Sequence, residues 1–239
     1  QLRKNTQVLP RGVPLYDETF EGQRYDLDAA LEHMKRAGLA YDPATGKGGW
    51  PHPIQVYVYK QGMSEYVEQV VAQQLARIGL RLELHVVSYP TYLAITRRRG
   101  KAALSPLGWK QDYPDPSDFF EPLFATKSIN DDDSNNSAFY KNPALDDLLA
   151  RARREPDPAH RKTMYREANR LVCDDAPWAF TYSTRYPSVA LPYVRNYVPN
   201  AVGYFDVRYT WLDNAVKLAA RAGGPIDARG LASIVPRPR

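Results

Sequence analysis

The sequence predicts an α/β fold, and three observations carry that prediction. Ile54 to Tyr59 alternates with period two and is rich in β-branched and aromatic residues, the pattern of a strand. Ser64 to Ile78 then repeats at helical spacing, with Ser64 as cap, Val67, Val70, Val71, Leu75 and Ile78 on one face, and Gly79 as the stop. Arg81 to Val87 alternates again, with Leu82, Leu84 and Val86 on one side. Strand, helix and strand make a βαβ unit, which pairs its strands in parallel through a right-handed crossover.

Around this layer the other elements follow in order. Residues 1–24 hold no sustained period; Pro10, Gly12 and Pro14 mark an irregular segment, with Tyr16, Phe20 and Tyr25 available to pack it. Asp26 caps a helix that runs to about Leu39, with Leu27, Leu31, Met34 and Ala37 as its stripe and Gly38 as its stop. Asp42 to Pro53 is turn chemistry. Gly46-Lys47-Gly48-Gly49 lacks the spacing of a phosphate loop, has no Ser or Thr after its Lys, and follows no strand. A helix from Ser88 to Arg99 leads to a third strand from Ala102 to Gly108.

That strand delivers the stretch Gly108 to Phe120. Pro114 and Pro116 cannot donate to a ladder and bias Tyr113 and Asp115 away from the helical region, so the chain leaves the sheet as a stiff, extended turn. Loops at the carboxyl ends of strands are where α/β proteins hold ligands.

Phe119 to Phe124 is a short helical turn, and residues 128–137 form a polar loop. Asp131, Asp133 and Asn135 alternate like a calcium loop, but no Gly occupies the sixth position and Asn142 replaces the closing Glu, so a solvated loop is expected. Asn142-Pro143 opens a helix to Arg154 with Leu145, Leu148, Leu149 and Ala152 inward. Glu155 to Pro158 breaks it. A further helix spans Ala159 to Cys173, with Met164, Ala168, Leu171 and Val172 apolar and Cys173 packing as a small apolar group. Trp178–Thr184, Pro187–Leu191, Tyr193–Val198 and Tyr204–Leu212 read as short Tyr-rich β segments, and 214–239 as a basic tail containing Pro and Gly.

Composition excludes several functions. The net charge of +5 sits mostly in the tail, where Lys217, Arg221, Arg229, Arg237 and Arg239 face Asp227 alone, so no folded basic face for nucleic acid is indicated. Cys173 is the single cysteine, which rules out an intramolecular disulfide. No apolar run is long enough to span a bilayer. The N-terminus has no apolar signal region: either the protein is cytoplasmic or the signal lies outside this sequence. His33, His52, His85 and His160 are scattered without metal-ligand spacing, and no Gly-x-Ser-x-Gly elbow exists. Asp112, Asp115 and Asp118 mimic paired carboxylates for glycoside chemistry, but the interleaved prolines argue against one helical face. Neither a catalytic residue nor a cofactor is indicated.

The stretch Gly108-Trp109-x-x-Asp112-Tyr113-x-Asp115-Pro116-x-x-Phe119-Phe120 resembles the signature loop of the solute-binding proteins of peptide-type ABC transporters, extracellular solute-binding protein family 5. Tyr25-Asp26-Leu27-Asp28-x-Ala30-x-x-x-Met34-x-x-Ala37-Gly38 is similar to the helix that opens that family's second lobe. Gln73-Gln74-Leu75-x-x-Ile78-Gly79, Asn136 to Leu149 with Tyr140, Asn142-Pro143 and Asp146, and Asp174 to Pro177 also match, so the resemblance covers residues 10–213.

The resemblance implies a lobe of a type II periplasmic binding protein: a two-lobed extracytoplasmic receptor that closes on its ligand like a hinged clamp. Family members bind mostly peptides, and also nickel complexes, oligosaccharides and opines, while partner subunits hydrolyse ATP and transport the solute. Permease subunits are therefore the implied protein partners, and the implied location is periplasmic, with any signal or lipid anchor outside this sequence. The implied ligand-binding set is Gly108, Trp109, Lys110, Gln111, Asp112 and Tyr113. Asp112 takes the peptide's α-ammonium group, Trp109 forms a flat wall, and backbone near Gly108 to Gln111 pairs with an extended ligand.

Two readings of the residues themselves stay open. Asp112 is a ligand group or a turn acid bonding nearby backbone N–H groups; Trp109 is a wall or core packing. Family members are much longer than this chain. The expectation is therefore an irregular segment (1–24), the second lobe (25–177), β segments returning toward a first lobe (178–213) and the tail. The chain would hold one side of a cleft, and return strands deprived of partners would expose edges and apolar surface. The alternatives are the same scaffold binding an oligosaccharide or other non-peptide solute, and an interaction module completed by another chain.

Overall fold

The structure is a computed structural model that describes residues 2–59, 64–184, 189–198, 202 and 207–223. The chain opens with β1 (Leu2–Lys4). Helix α1 (Leu27–Arg36) is capped by Asp26, whose carboxylate accepts the Ala29 N–H at 2.9 Å. It ends as predicted at Gly38, which takes φ 77° while the Leu39 N–H reaches back to the Met34 carbonyl at 2.9 Å.

A small antiparallel hairpin follows, β2 (Tyr41–Asp42) with β3 (Lys47–Gly48). Gly48 and Gly49 serve packing. A Cβ on Gly49 would lie 2.5 Å from the carbonyl oxygen of Gly79, so the two backbones approach where no side chain fits.

The βαβ unit is present as read: β4 (Ile54–Tyr59), α2 (Ser64–Ala76) and β5 (Leu82–Val87), with the strands parallel and in register from Ile54 opposite Leu82 to Tyr59 opposite Val87. Val56 and Val58 are buried, whereas Val70 of the anticipated α2 stripe is exposed. Helix α3 (Tyr89–Thr96) stops short of the predicted Arg99.

The third strand is a correction. Of Ala102 to Gly108, only Leu104 joins the sheet, through a single parallel bridge to Val56. Pro106 has no N–H to donate, and its carbonyl is taken by the Tyr92 hydroxyl from α3 instead of by a neighbouring strand.

The predicted turn at Phe119 is a full helix, α4 (Ser117–Phe124). Helix α5 (Pro143–Ala152) starts at Asn142, whose side chain accepts the N–H groups of Ala144 and Leu145 at 2.9 and 3.1 Å. Helix α6 (Pro158–Asp175) is capped by Asp157 and ends at Ala176 in the left-handed conformation, just before Pro177.

The largest hydrophobic core lies among these helices, away from the sheet. Phe119, Phe120, Leu123 and Phe124 of α4 meet Leu145, Leu148 and Leu149 of α5 and Tyr165, Ala168 and Val172 of α6. Residues 1–24, read as irregular, close this core with Val8, Leu9 and Val13. Buried polar contacts hold that segment in place. Asn169 of α6 accepts the Val8 N–H at 3.0 Å and donates to Gln7 Oε1 at 3.2 Å, while Gln7 donates to the Asp17 carbonyl at 3.0 Å. The Asp17 carboxylate pairs with Arg166.

Residues 128–137 are ordered by two devices. Arg97, Arg98 and Arg99, at the end of α3, pair in sequence with Asp133, Asp132 and Asp131. The acids stay exposed, as anticipated, while they pair with this run of arginines. Asn136, fully buried, donates to the carbonyls of Ala125 (3.1 Å) and Tyr140 (2.9 Å) and accepts the Tyr140 N–H (3.1 Å). Asn136→Ala leaves these groups without their partner, so urea denaturation is expected to show a loss of about 2–3 kcal/mol.

Of the return segments, β6 (Tyr182–Thr184) pairs antiparallel with β1, and β7 (Val194–Arg195) pairs with β8 (Trp211–Leu212). Each of these strands finds one partner within the chain, but both sheets have only two strands and so keep open edges, and Val189, Leu191, Val198, Val207, Trp211 and Leu212 are exposed, as expected. Residues 189–191 of the predicted Pro187–Leu191 strand are not in one, and residues 187 and 188 lie outside the described residues, as do 204–206. The tail begins with a helix that the sequence reading missed, α7 (Asn214–Arg221), capped by Asp213; residues 224–239 lie outside the described residues.

Candidate functional site

The loop from Gly108 to Pro116 is held from both ends. Upstream, the Leu104 bridge and the Tyr92–Pro106 contact tie it to β4 and α3. Downstream it runs into α4, whose aromatic residues are sunk in the core. Between these anchors, each acid has a different surrounding.

Asp115 is clamped. Arg161 of α6 donates to both its oxygens at 2.8 Å, the Ser117 N–H adds a bond at 2.9 Å, and Arg161 Nε donates to the Ala152 carbonyl at 2.9 Å. Burial raises the Asp115 carboxyl, but the Arg161 fork and the Ser117 donors outweigh it and bring the group from 3.8 down to about 2. A carboxyl whose folded pKa is depressed contributes stability above its unfolded value and loses it as pH falls through the folded value. Acid titration is therefore expected to erode stability between about pH 4 and pH 2. In Asp115→Asn that part of the slope disappears, and an unaltered acid profile in the variant would refute the assignment.

Asp118 is buried, at 4% exposure. Its Oδ2 accepts the Asp112 N–H at 2.7 Å. Burial pushes this carboxyl above its ordinary value, the Asp112 N–H pulls against that shift, and the Asp112 charge adds to it.

Asp112 differs from both. It is exposed, and among the described residues no cation or donor engages its carboxylate. The turn-acid role that competed for Asp112 is carried by Asp115, through Ser117, and by Asp118, through Asp112 itself.

The remaining candidates are distributed around it. Trp109 is half-buried and packs on the core cluster, so its packing role is present. Its Nε1 is buried without an acceptor in hydrogen-bonding geometry, although it lies near enough to Asp118 to help lower that group's pKa. Gly108 and Lys110 are exposed, and Gln111 is buried. A Cβ on Gly108 would meet nothing within 4 Å, which leaves open space beside the backbone there. Tyr113 is 48% exposed, with its hydroxyl 3.2 Å from Ser117 Oγ.

Sequence reasoning missed Arg161, Tyr92 and the role of Asp118. Arg161 lies 46 residues from Asp115, and no local pattern links them. Among the described residues no group of three or more His, Cys, Asp or Glu is placed to hold a metal ion.

Comparison with known proteins agrees with this architecture. The chain is 29% identical over 160 residues to a glutathione-binding protein of Pectobacterium atrosepticum, covering 62% of this chain and 31% of that protein. It is 25% identical over 169 residues to di/tripeptide-binding protein 2 of Pseudomonas aeruginosa, covering 68% of this chain and 29% of that protein. The chain thus spans about a third of the length of these curated relatives. Among solved structures, the periplasmic binding protein DppA of Helicobacter pylori, in complex with peptide STSA, superposes with a TM-score of 0.70 at 24% identity, over 89% of this chain and 39% of that one. The murein tripeptide-binding protein MppA of Escherichia coli gives a TM-score of 0.70 at 22% identity, over 88% of this chain and 40% of that one. The fold is therefore that of part of a type II periplasmic binding protein. The model of the bacterial extracellular solute-binding proteins, family 5 (middle), matches residues 2–131, and the chain belongs to that family of binding proteins.

Proposed function

We propose that this chain supplies one side of the ligand cleft in the solute-binding component of an ABC importer for peptides or peptide-like solutes, and that Asp112 holds the ligand's α-ammonium group. In this reading residues 25–177 form the second lobe, and a first lobe completes the cleft. The protein acts outside the cytoplasm, delivers its ligand to permease subunits and performs no chemistry on it. The observation that carries the reading is the division of labour among the three loop acids. Asp115 is neutralised by Arg161 and Asp118 is occupied by the Asp112 backbone N–H, while Asp112 presents a carboxylate to solvent from a fixed backbone. Closure of the first lobe over it would desolvate that carboxylate, and a charge-assisted bond to an ammonium would then be short and strong.

Supporting parts lie on the same loop. The open space beside Gly108 admits an extended ligand backbone next to the main chain. Gly108 does not take positive φ, so a side chain is sterically compatible with the fold. Gly108→Leu is expected to weaken peptide binding by about 1–3 kcal/mol through overpacking of the ligand space, with no change in melting temperature. Equal affinity in that variant would place the ligand elsewhere. Trp109 walls the site with one face while its other side packs on the core; Lys110, Gln111 and Tyr113 frame it.

Titration calorimetry of the intact receptor with unblocked tripeptides tests the proposal. Saturable binding of peptides, with neutral oligosaccharides inert, is the expected result. Binding of an oligosaccharide with peptides inert would assign the scaffold to a non-peptide solute. A stable complex with another polypeptide and no small ligand would make the chain an interaction module.

A further inference from the structure

We infer that Asp118 is a positioning residue for Asp112: its buried carboxylate accepts the backbone N–H of Asp112 and fixes the backbone from which the Asp112 carboxylate projects. This inference rests on the reading of Asp112 as the ammonium partner.

A buried carboxylate without a cation is a costly way to fill space. Asp118 is 4% exposed, and among the described residues no Lys, Arg or His pairs with it. An apolar side chain would pack there at lower cost, so the acid requires another explanation. Its contacts provide one. A carboxylate offers several acceptor sites at once. One oxygen takes the Asp112 N–H at 2.7 Å, which ties the turn to the start of α4. Asp118 is also the second residue of α4, where the helix dipole favours negative charge. The core-anchored helix thus reaches back six residues and sets the geometry of the proposed ligand group. Asp115 fastens the same loop through Arg161, so the two acids have separate tasks: one ties the loop to α6, the other shapes its tip.

The test measures the preference of the intact receptor for a tripeptide with a free amine over its N-acetylated form. Asp118→Ala is expected to lower that preference about tenfold, the scale of a lost hydrogen bond to a charged group. Asp118→Asn keeps an acceptor oxygen in place and is expected to retain most of the preference. Leu148→Ala, a core change on α5, lowers the melting temperature and is expected to leave the preference at its wild-type value. Where the alanine variant does not fold, Asp118→Glu serves: it keeps the charge, displaces the acceptor by one methylene and is expected to reduce the preference. A wild-type preference in Asp118→Ala or Asp118→Glu, with the preference abolished in Asp112→Asn, overturns the inference and leaves the Asp112 reading standing. No preference in the wild type, or one insensitive to Asp112→Asn, removes that reading and this inference with it.

Discussion

Phe120→Ala is expected to lower the unfolding free energy by about 3–5 kcal/mol, among the largest effects of any single change in this chain. Phe120 is fully buried at the centre of the helical core. Its ring lies 5.3 Å from that of Tyr165 on α6 and 6.4 Å from that of Phe124 on the next turn of α4. Truncation removes aromatic contact on two sides and leaves a cavity that three packed helices cannot collapse to fill. Because α4 begins where the candidate loop ends, the same change loosens the loop. Urea denaturation followed by circular dichroism measures the effect as a shift of midpoint at constant slope. A loss below about 1 kcal/mol would mean that the fold does not centre on α4.

Arg161→Ala is expected to cost about 2–3 kcal/mol, the range for lost hydrogen bonds between charged partners. The guanidinium makes two bonds to Asp115 and one to the Ala152 carbonyl, and it stacks over the Tyr165 ring at 5.2 Å. Its removal leaves a half-buried carboxylate uncompensated. Arg161→Lys should recover only part of the loss, because a point charge cannot reproduce a planar fork. Arg151, which pairs with Asp147 on the exposed face of α5 at 2.9 Å, provides the control, and its alanine variant should lose less than about 0.5 kcal/mol. Equal losses for the two arginines would reduce the Asp115 clamp to an ordinary surface pair.

Features with a local cause were legible in the sequence. Period two gave β4 and β5, period 3.6 gave α1, α2, α5 and α6, and Asp26 and Asn142 mark helix starts because a short polar side chain satisfies free N–H groups there. The position of the core was less legible. The apolar sheet stretch suggested that the loop is held by strands, yet Phe119, Phe120 and Phe124 bury most deeply against α5 and α6. Periodicity says which face of a helix is apolar but not which neighbour covers it. The third strand failed at Pro106 because β propensity around a proline gives no ladder without the N–H. The Arg161–Asp115 clamp and the pairing of Arg97–Arg99 with Asp131–Asp133 join residues distant in sequence, and no local pattern encodes them. At the candidate site, the prolines and acids of the loop were visible, but their separate tasks were not. Three acids spaced three apart look alike in a sequence, and burial and partners distinguish them.

The most direct measurement is a calorimetric cycle on the intact receptor. Wild type and Asp112→Asn are each titrated with a free-amine tripeptide and with its N-acetylated form. The expected result is a free-amine preference of about 1.5–3 kcal/mol in the wild type that disappears in Asp112→Asn, with binding of the acetylated peptide little changed. A preference that survives the substitution undiminished would contradict the assignment of Asp112 as the ammonium partner.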